Sequence, residues 1–360
     1  MNRKFCAKAA VVSTAVIVIA AGVTQIRAQT GAKVLLIYDM EGVTEVTGSR
    51  GVSFGSSTYD AARNSLTEDV NAAIRGLLRG GAREVVLTDG HGSGNPDPDY
   101  DTERMPDGAR HEIRDDPYDP YVDVFDESFD AVVAIGMHGG AGSEGFLSHT
   151  YYGHTMWVLN GQEMNESMVL AASAERYGIP LILVTGDDVL KQEMEAFSPQ
   201  TQYVVVKQAL GRTRALAMPR EEVTREIEAA AQRAIENIGS IPTWSPFSAD
   251  TPVENHFSYT LPEHGTLAIE FPGTRAVNDR TVALTTSTFL DSYLAFRALA
   301  NFTALVQFQI TIDALREVEG WMVVLQQARN NLRDRPSPSF EPAGTSIDLS
   351  RSARGRHGYK

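Results

Sequence analysis

Apolar residues gather along this chain in short unbroken runs, and each run is closed by acidic residues, histidine or glycine. Val34-Leu35-Leu36-Ile37, Glu84-Val85-Val86-Leu87-Thr88, Ala131-Val132-Val133-Ala134-Ile135, Leu181-Ile182-Leu183-Val184 and Tyr203-Val204-Val205-Val206-Lys207 are the five clearest. Runs of this length without polar alternation predict strands buried on both faces, as in a parallel sheet. Between them the spacing turns helical. Residues 59–78 carry Ala62, Leu66, Val70, Ala73, Ile74 and Leu77 and stop at Gly80-Gly81. Residues 163–177, 189–196 and 219–238 read as further helices, the last with Pro219 in its first turn. Strand and helix in alternation predict an α/β fold with a doubly wound, mainly parallel sheet and right-handed crossovers.

Other stretches interrupt this rhythm. Residues 95–121 are rich in Pro, Asp and Gly and predict a long surface loop. Residues 240–252 read as a connector, which sets a metal-binding catalytic domain at 29–239 against a smaller C-terminal α+β portion at 240–330. That portion is expected to hold strands at 266–271 and 281–286 and helices at 289–300 and 312–327. Residues 331–360 have little apolar content and read as a disordered tail.

At the N-terminus, Arg3, Lys4 and Lys8 precede an apolar stretch over residues 9–23 that ends near Ala28. This is the pattern of a secretory signal peptide over residues 1–28, too short for a membrane span, so the protein is expected to be exported, periplasmic or secreted. Its removal takes the one cysteine, Cys6, and four basic residues, leaving a mature chain more acidic than the formal −14. An exported chain without cysteine rests on its core, on metal or on assembly rather than on disulfides. The acidic balance and the lack of a basic stripe argue against a nucleic-acid partner.

The chemistry-bearing residues stand where the runs end. Asp39 and Glu41 follow the first run, His91 the second and His138 the third, and each strand end is followed by glycine. In open α/β sheets such strand ends share one ligand-binding crevice. Imidazoles and carboxylates converging there suit zinc or another borderline divalent ion, and an acid able to bridge two ions suits a two-metal hydrolytic site. Asp187-Asp188 are expected to cap the following helix, Lys207 to be a surface charge, and His154, Tyr151 and Trp157 to be structural.

The ordered set Asp39-Met40-Glu41-Gly42, Asp89-Gly90-His91, Gly136-Met137-His138, Leu147-Ser148-His149, Asn160-Gly161, Glu166, Gly186-Asp187-Asp188, Val206-Lys207-Gln208 and Ile269-Glu270-Phe271 resembles the DppA-type binuclear zinc D-aminopeptidases. The resemblance implies Zn2+, two ions per subunit, with Asp39 bridging them. Glu41 and His91 would complete one shell, His138 and Glu166 the other, and His149 would be the catalytic histidine. Ile37 stands where the family pattern has a serine, and the step from His149 to Glu166 is one residue short, which keeps Glu163 as a rival ligand on the same expected helix. The implied activity is an aminopeptidase reaction on short peptides with an N-terminal D-amino acid of the D-Ala type, carried by zinc-activated water, in a homo-oligomer. The alternatives are another binuclear amidohydrolase or phosphoesterase, or an exported peptide- or metal-binding protein without catalysis.

Overall fold

A computed structural model describes residues 31–112, 119–244, 252–317, 320, 322 and 323. The expected leader and the expected C-terminal tail lie outside the described residues. The five apolar runs become β1 (Ala32–Tyr38), β2 (Ala82–Asp89), β4 (Ala131–Ile135), β7 (Leu181–Asp187) and β8 (Gln202–Ala209). They lie in one seven-stranded sheet of order β3-β2-β1-β4-β7-β8-β9, where β3 is Ala109–His111 and β9 is Ala215–Ala217. All pairings are parallel except β8 with β9. Chain order reverses between β1 and β4, which makes their C-terminal ends the topological switch point where ligands bind in such sheets.

Alternation within β1 explains how both faces are filled. Val34, Leu36 and Tyr38 pack into one apolar cluster with α1 (Tyr59–Arg79) and α4 (Arg220–Glu236). Leu35 and Ile37 pack into the opposite cluster with α2 (Glu166–Glu175). That second face is shared with a five-stranded sheet of order β11-β12-β10-β5-β6 and with α6 (Phe289–Arg316). Its strands are β5 (Thr155–Leu159), β6 (Gln162–Glu163), β10 (Val253–Tyr259), β11 (Arg275–Asn278) and β12 (Thr281–Thr286), so it draws two strands from well before residue 240. Trp157 on β5 is fully buried and stacks on Phe296 of α6 with ring centroids 4.9 Å apart.

Four expected elements differ. Residues 266–271 are not a strand: Pro262 at the first helical position starts α5 (Pro262–Ala268), and the chain then turns. The first expected C-terminal helix runs on without a break into the start of the second, as α6 to Arg316, because residues 301–311 contain neither glycine nor proline to stop it; most of the rest of the expected 312–327 helix lies outside the described residues. The expected helix at 163–177 starts only at Glu166, since Asn165 caps it through Met168 N, and Glu163 sits on β6. The remaining short helix is α3 (Asp188–Phe197), which Asp187 caps by accepting from Val189 N and Leu190 N.

Candidate metal centre

The turn after β1 is pressed against the end of β4. Gly42 N donates to Gly136 O at 2.7 Å, and a Cβ at Gly42 would stand 1.9 Å from Met137 O. Only glycine fits so close an approach. Asp39 and Glu41 are thereby brought beside the ends of β2 and β4. His91 Nδ1 lies 2.8 Å from Asp39 Oδ1 and 3.1 Å from Glu41 Oε2. His138 Nε2 lies 3.3 Å from Asp39 Oδ2 and 3.6 Å from Glu166 Oε1. The two oxygens of Asp39 therefore face two different histidines. His149 stacks on His138 with ring centroids 4.1 Å apart and directs Nε2 to within 4.0 Å of Glu166 Oε1.

Asp39, Glu41 and His91 thus form one group of facing ligand atoms, and His138, His149 and Glu166 a second. All six residues expected from the sequence are brought together. Glu163 is not among them: its Oε1 accepts from Gly142 N at 2.6 Å.

Each imidazole is held from behind by a main-chain carbonyl. His91 Nε2 pairs with Val52 O at 2.8 Å, His138 Nδ1 with Gly139 O at 3.0 Å, and His149 Nδ1 with Leu147 O at 2.8 Å. Such a bond fixes one N–H at the carbonyl and turns the other nitrogen toward the acids, where its deprotonation would free a lone pair for a metal ion. Glu166 is oriented too, by Tyr121 OH at 2.5 Å and Tyr151 N at 2.8 Å. His91 N donates to Asp89 Oδ1, and Asp89 Oδ2 accepts from Tyr38 OH and Asp99 N.

Three buried acids in one cleft need positive charge, since each unpaired buried ion costs several kcal/mol. Burial alone would raise the Asp39 pKa, yet the His138 and His91 imidazoles beside it hold its carboxyl well below the usual range. Burial opposes charge on His138, but Glu166, Asp39 and Glu41 push it up to about 10. His91 is likewise raised against burial by Glu41 and Asp39. Glu41 Oε2 and His138 Nε2 are buried and lack a hydrogen-bond partner. Orphaned ligand atoms beside acids that recruit protons fit divalent ions, and the oxygen and nitrogen donors suit zinc.

The sequence does not announce two side chains near this cleft. Tyr121 comes from an aperiodic loop with no signal of its role. Lys207 is no surface charge: it is fully buried, and its Nζ donates to the carbonyls of Glu41 and Val46 at 2.7 and 2.5 Å. The apolar run before it leads into the sheet interior, where the turn after β1 covers it. Ile37, at the serine position of the family pattern, is fully buried among apolar side chains.

Comparison with known proteins gives the family and the fold. The solved Zn-dependent D-aminopeptidase DppA from Bacillus subtilis, described as a self-compartmentalizing protease, superposes with a TM-score of 0.68 at 22% identity, over 75% of this chain and 97% of that one. A curated D-aminopeptidase of Bacillus subtilis (strain 168) is 25% identical over 222 residues, 61% of this chain and 79% of the relative. The D-aminopeptidase family model (Peptidase_M55) matches residues 32–298, which includes every residue of the cleft. The chain therefore belongs to the D-aminopeptidase family and is a metallo-aminopeptidase.

Proposed function

We propose that this protein is an exported zinc D-aminopeptidase acting on short peptides that begin with a small D-residue such as D-alanine. The observation that carries the reading is Asp39, whose two carboxylate oxygens face His91 and His138 on opposite sides. In this reading Asp39, Glu41 and His91 would hold one zinc ion, and Asp39, His138 and Glu166 would hold a second. Bound ions supply Lewis acidity and make water nucleophilic near neutral pH.

The chain's own groups do the rest. Carbonyl-anchored imidazoles keep their other ring nitrogens aimed into the cleft, and Tyr121 fixes Glu166. His149 is 28% exposed where the other five side chains are at most 9% exposed, which places it at the mouth of the cleft. There its Nε2 can polarise the substrate carbonyl or exchange a proton with the departing amine. The leader pattern at residues 1–28 supports export, and location suggests peptides from cell-wall turnover. Among the described residues, no helix is long and apolar enough to cross a membrane. The self-compartmentalizing relative supports a homo-oligomer.

Purified protein should bind two zinc ions per chain, hydrolyse D-Ala-D-Ala or D-Ala-p-nitroanilide, and lose turnover with chelator. His149→Ala should keep its zinc while kcat falls about 10²- to 10⁴-fold. Full activity after His91→Ala, or zinc binding without turnover on any D-amino-acid substrate, would contradict the reading.

A further inference from the structure

β8 and β9 form an antiparallel hairpin with Lys207 opposite Ala217 and a turn at Gly211, where φ is +104°. Two cations on this one element reach opposite walls of the cleft. Lys207 points inward, and both of its hydrogen bonds go to main-chain carbonyls, those of Glu41 and Val46. Its ammonium lies 4.9 Å over the Phe146 ring. A buried ammonium is expensive, and an apolar side chain would fill the same volume more cheaply. What the amine does here is fix two carbonyls of the turn that presents Asp39 and Glu41.

At the tip, Arg212 is exposed and spreads its guanidinium over the other wall. Nη1 donates to Ala141 O at 3.1 Å and to Ser143 O, and Nη2 donates to Ser148 O at 2.7 Å. Its own carbonyl accepts from Leu147 N at 3.0 Å. These four bonds enclose the loop that leads into His149. Leu147 is held at φ +51°, a left-handed conformation disfavoured for a branched side chain, and its carbonyl anchors His149 Nδ1.

We propose that this hairpin braces the site at both ends, with Lys207 positioning the turn that carries Asp39 and Glu41 and Arg212 positioning the loop that carries His149. The proposal rests on the zinc-site reading above. It separates two effects that a merely structural role would not. Lys207 acts on metal affinity, and Arg212 acts on turnover with metal affinity intact.

The test measures zinc affinity by chelator competition, together with kcat and KM on D-Ala-p-nitroanilide, for wild type, Arg212→Gln, Arg212→Lys and Lys207→Met. Arg212→Gln should lose about ten- to a hundredfold in kcat, with KM and both zinc affinities near wild type, and Arg212→Lys should recover part of the loss. Lys207→Met should weaken one of the two zinc ions about ten- to a hundredfold, with kcat largely restored at saturating zinc. Wild-type kcat in Arg212→Gln, or unchanged zinc affinities in Lys207→Met, would overturn the brace. If Lys207→Met does not fold, Lys207→Gln keeps a donor there, and failure of both to fold overturns the Lys207 half. Wild-type protein that binds no zinc overturns the underlying reading and the brace with it, a result distinct from any of these.

Discussion

Glu163 and Glu166 show how a three-residue difference separates a candidate ligand from a bystander. Glu166 is 5% exposed at the side chain, faces His138, and receives hydrogen bonds from Tyr121 and Tyr151. Glu163 receives Gly142 N instead, and burial raises its pKa. Replacing each by glutamine keeps shape and removes charge. Glu166→Gln should lower zinc content below the wild-type stoichiometry, whereas Glu163→Gln should leave it unchanged; metal analysis after gel filtration distinguishes them. Asp39, Glu41, His91 and His138 are legible in the sequence because each directly follows an apolar run, and a run's end is a defined place in a parallel sheet. Glu166 carries no such mark. The two-residue strand containing Glu163 exists only by pairing with β5, which local sequence cannot express. Lys207 is misread for a related reason, since its cover is supplied by a turn more than 150 residues away.

At the scale of elements, the turn after β1 depends on its contact with the end of β4. A methyl at Gly42 would meet Met137 O at 1.9 Å, and a Cβ at Gly136, where φ is +78°, would meet Asp39 O at 2.1 Å. Neither backbone oxygen can step aside without moving a residue of the cleft. Gly42→Ala should therefore destabilise the fold by about 1–3 kcal/mol and also weaken zinc binding, read by calorimetry and chelator competition. A drop in stability with metal affinity untouched would show that the turn relaxes without disturbing Asp39. The central strands of the large sheet can be read from sequence because they are buried on both faces. Edge strands β3 and β9 are three residues each and carry no run to mark them. The strand expected at 266–271 fails because its apolar residues also suit a helix, and Pro262 decides the matter from outside the window.

Across the whole molecule, a second histidine pair lies away from the metal centre. His154 and His264 stack with centroids 4.8 Å apart, and His154 Nε2 pairs with Thr303 of α6. Burial, and then the neighbouring His264, push His154 down from 6.5 to about 4, and burial lowers His264 as well. Between those pH values the unfolded chain binds protons that the folded chain refuses, so stability rises with pH across the window and is lost as pH falls through it. Thermal unfolding followed from pH 7 to pH 4 should show this loss, and His154→Phe, which keeps a ring and removes the titration, should flatten it relative to wild type. An unchanged pH slope in the variant would remove the pair from any account of acid sensitivity.

The measurement that bears most directly on the central claim is anomalous diffraction at the zinc edge from crystals of zinc-loaded protein. Two peaks flanking the Asp39 carboxylate are expected, one among Asp39, Glu41 and His91 and one among Asp39, His138 and Glu166. A single peak, or zinc bound away from Asp39, would contradict the bridged pair on which the proposed chemistry depends.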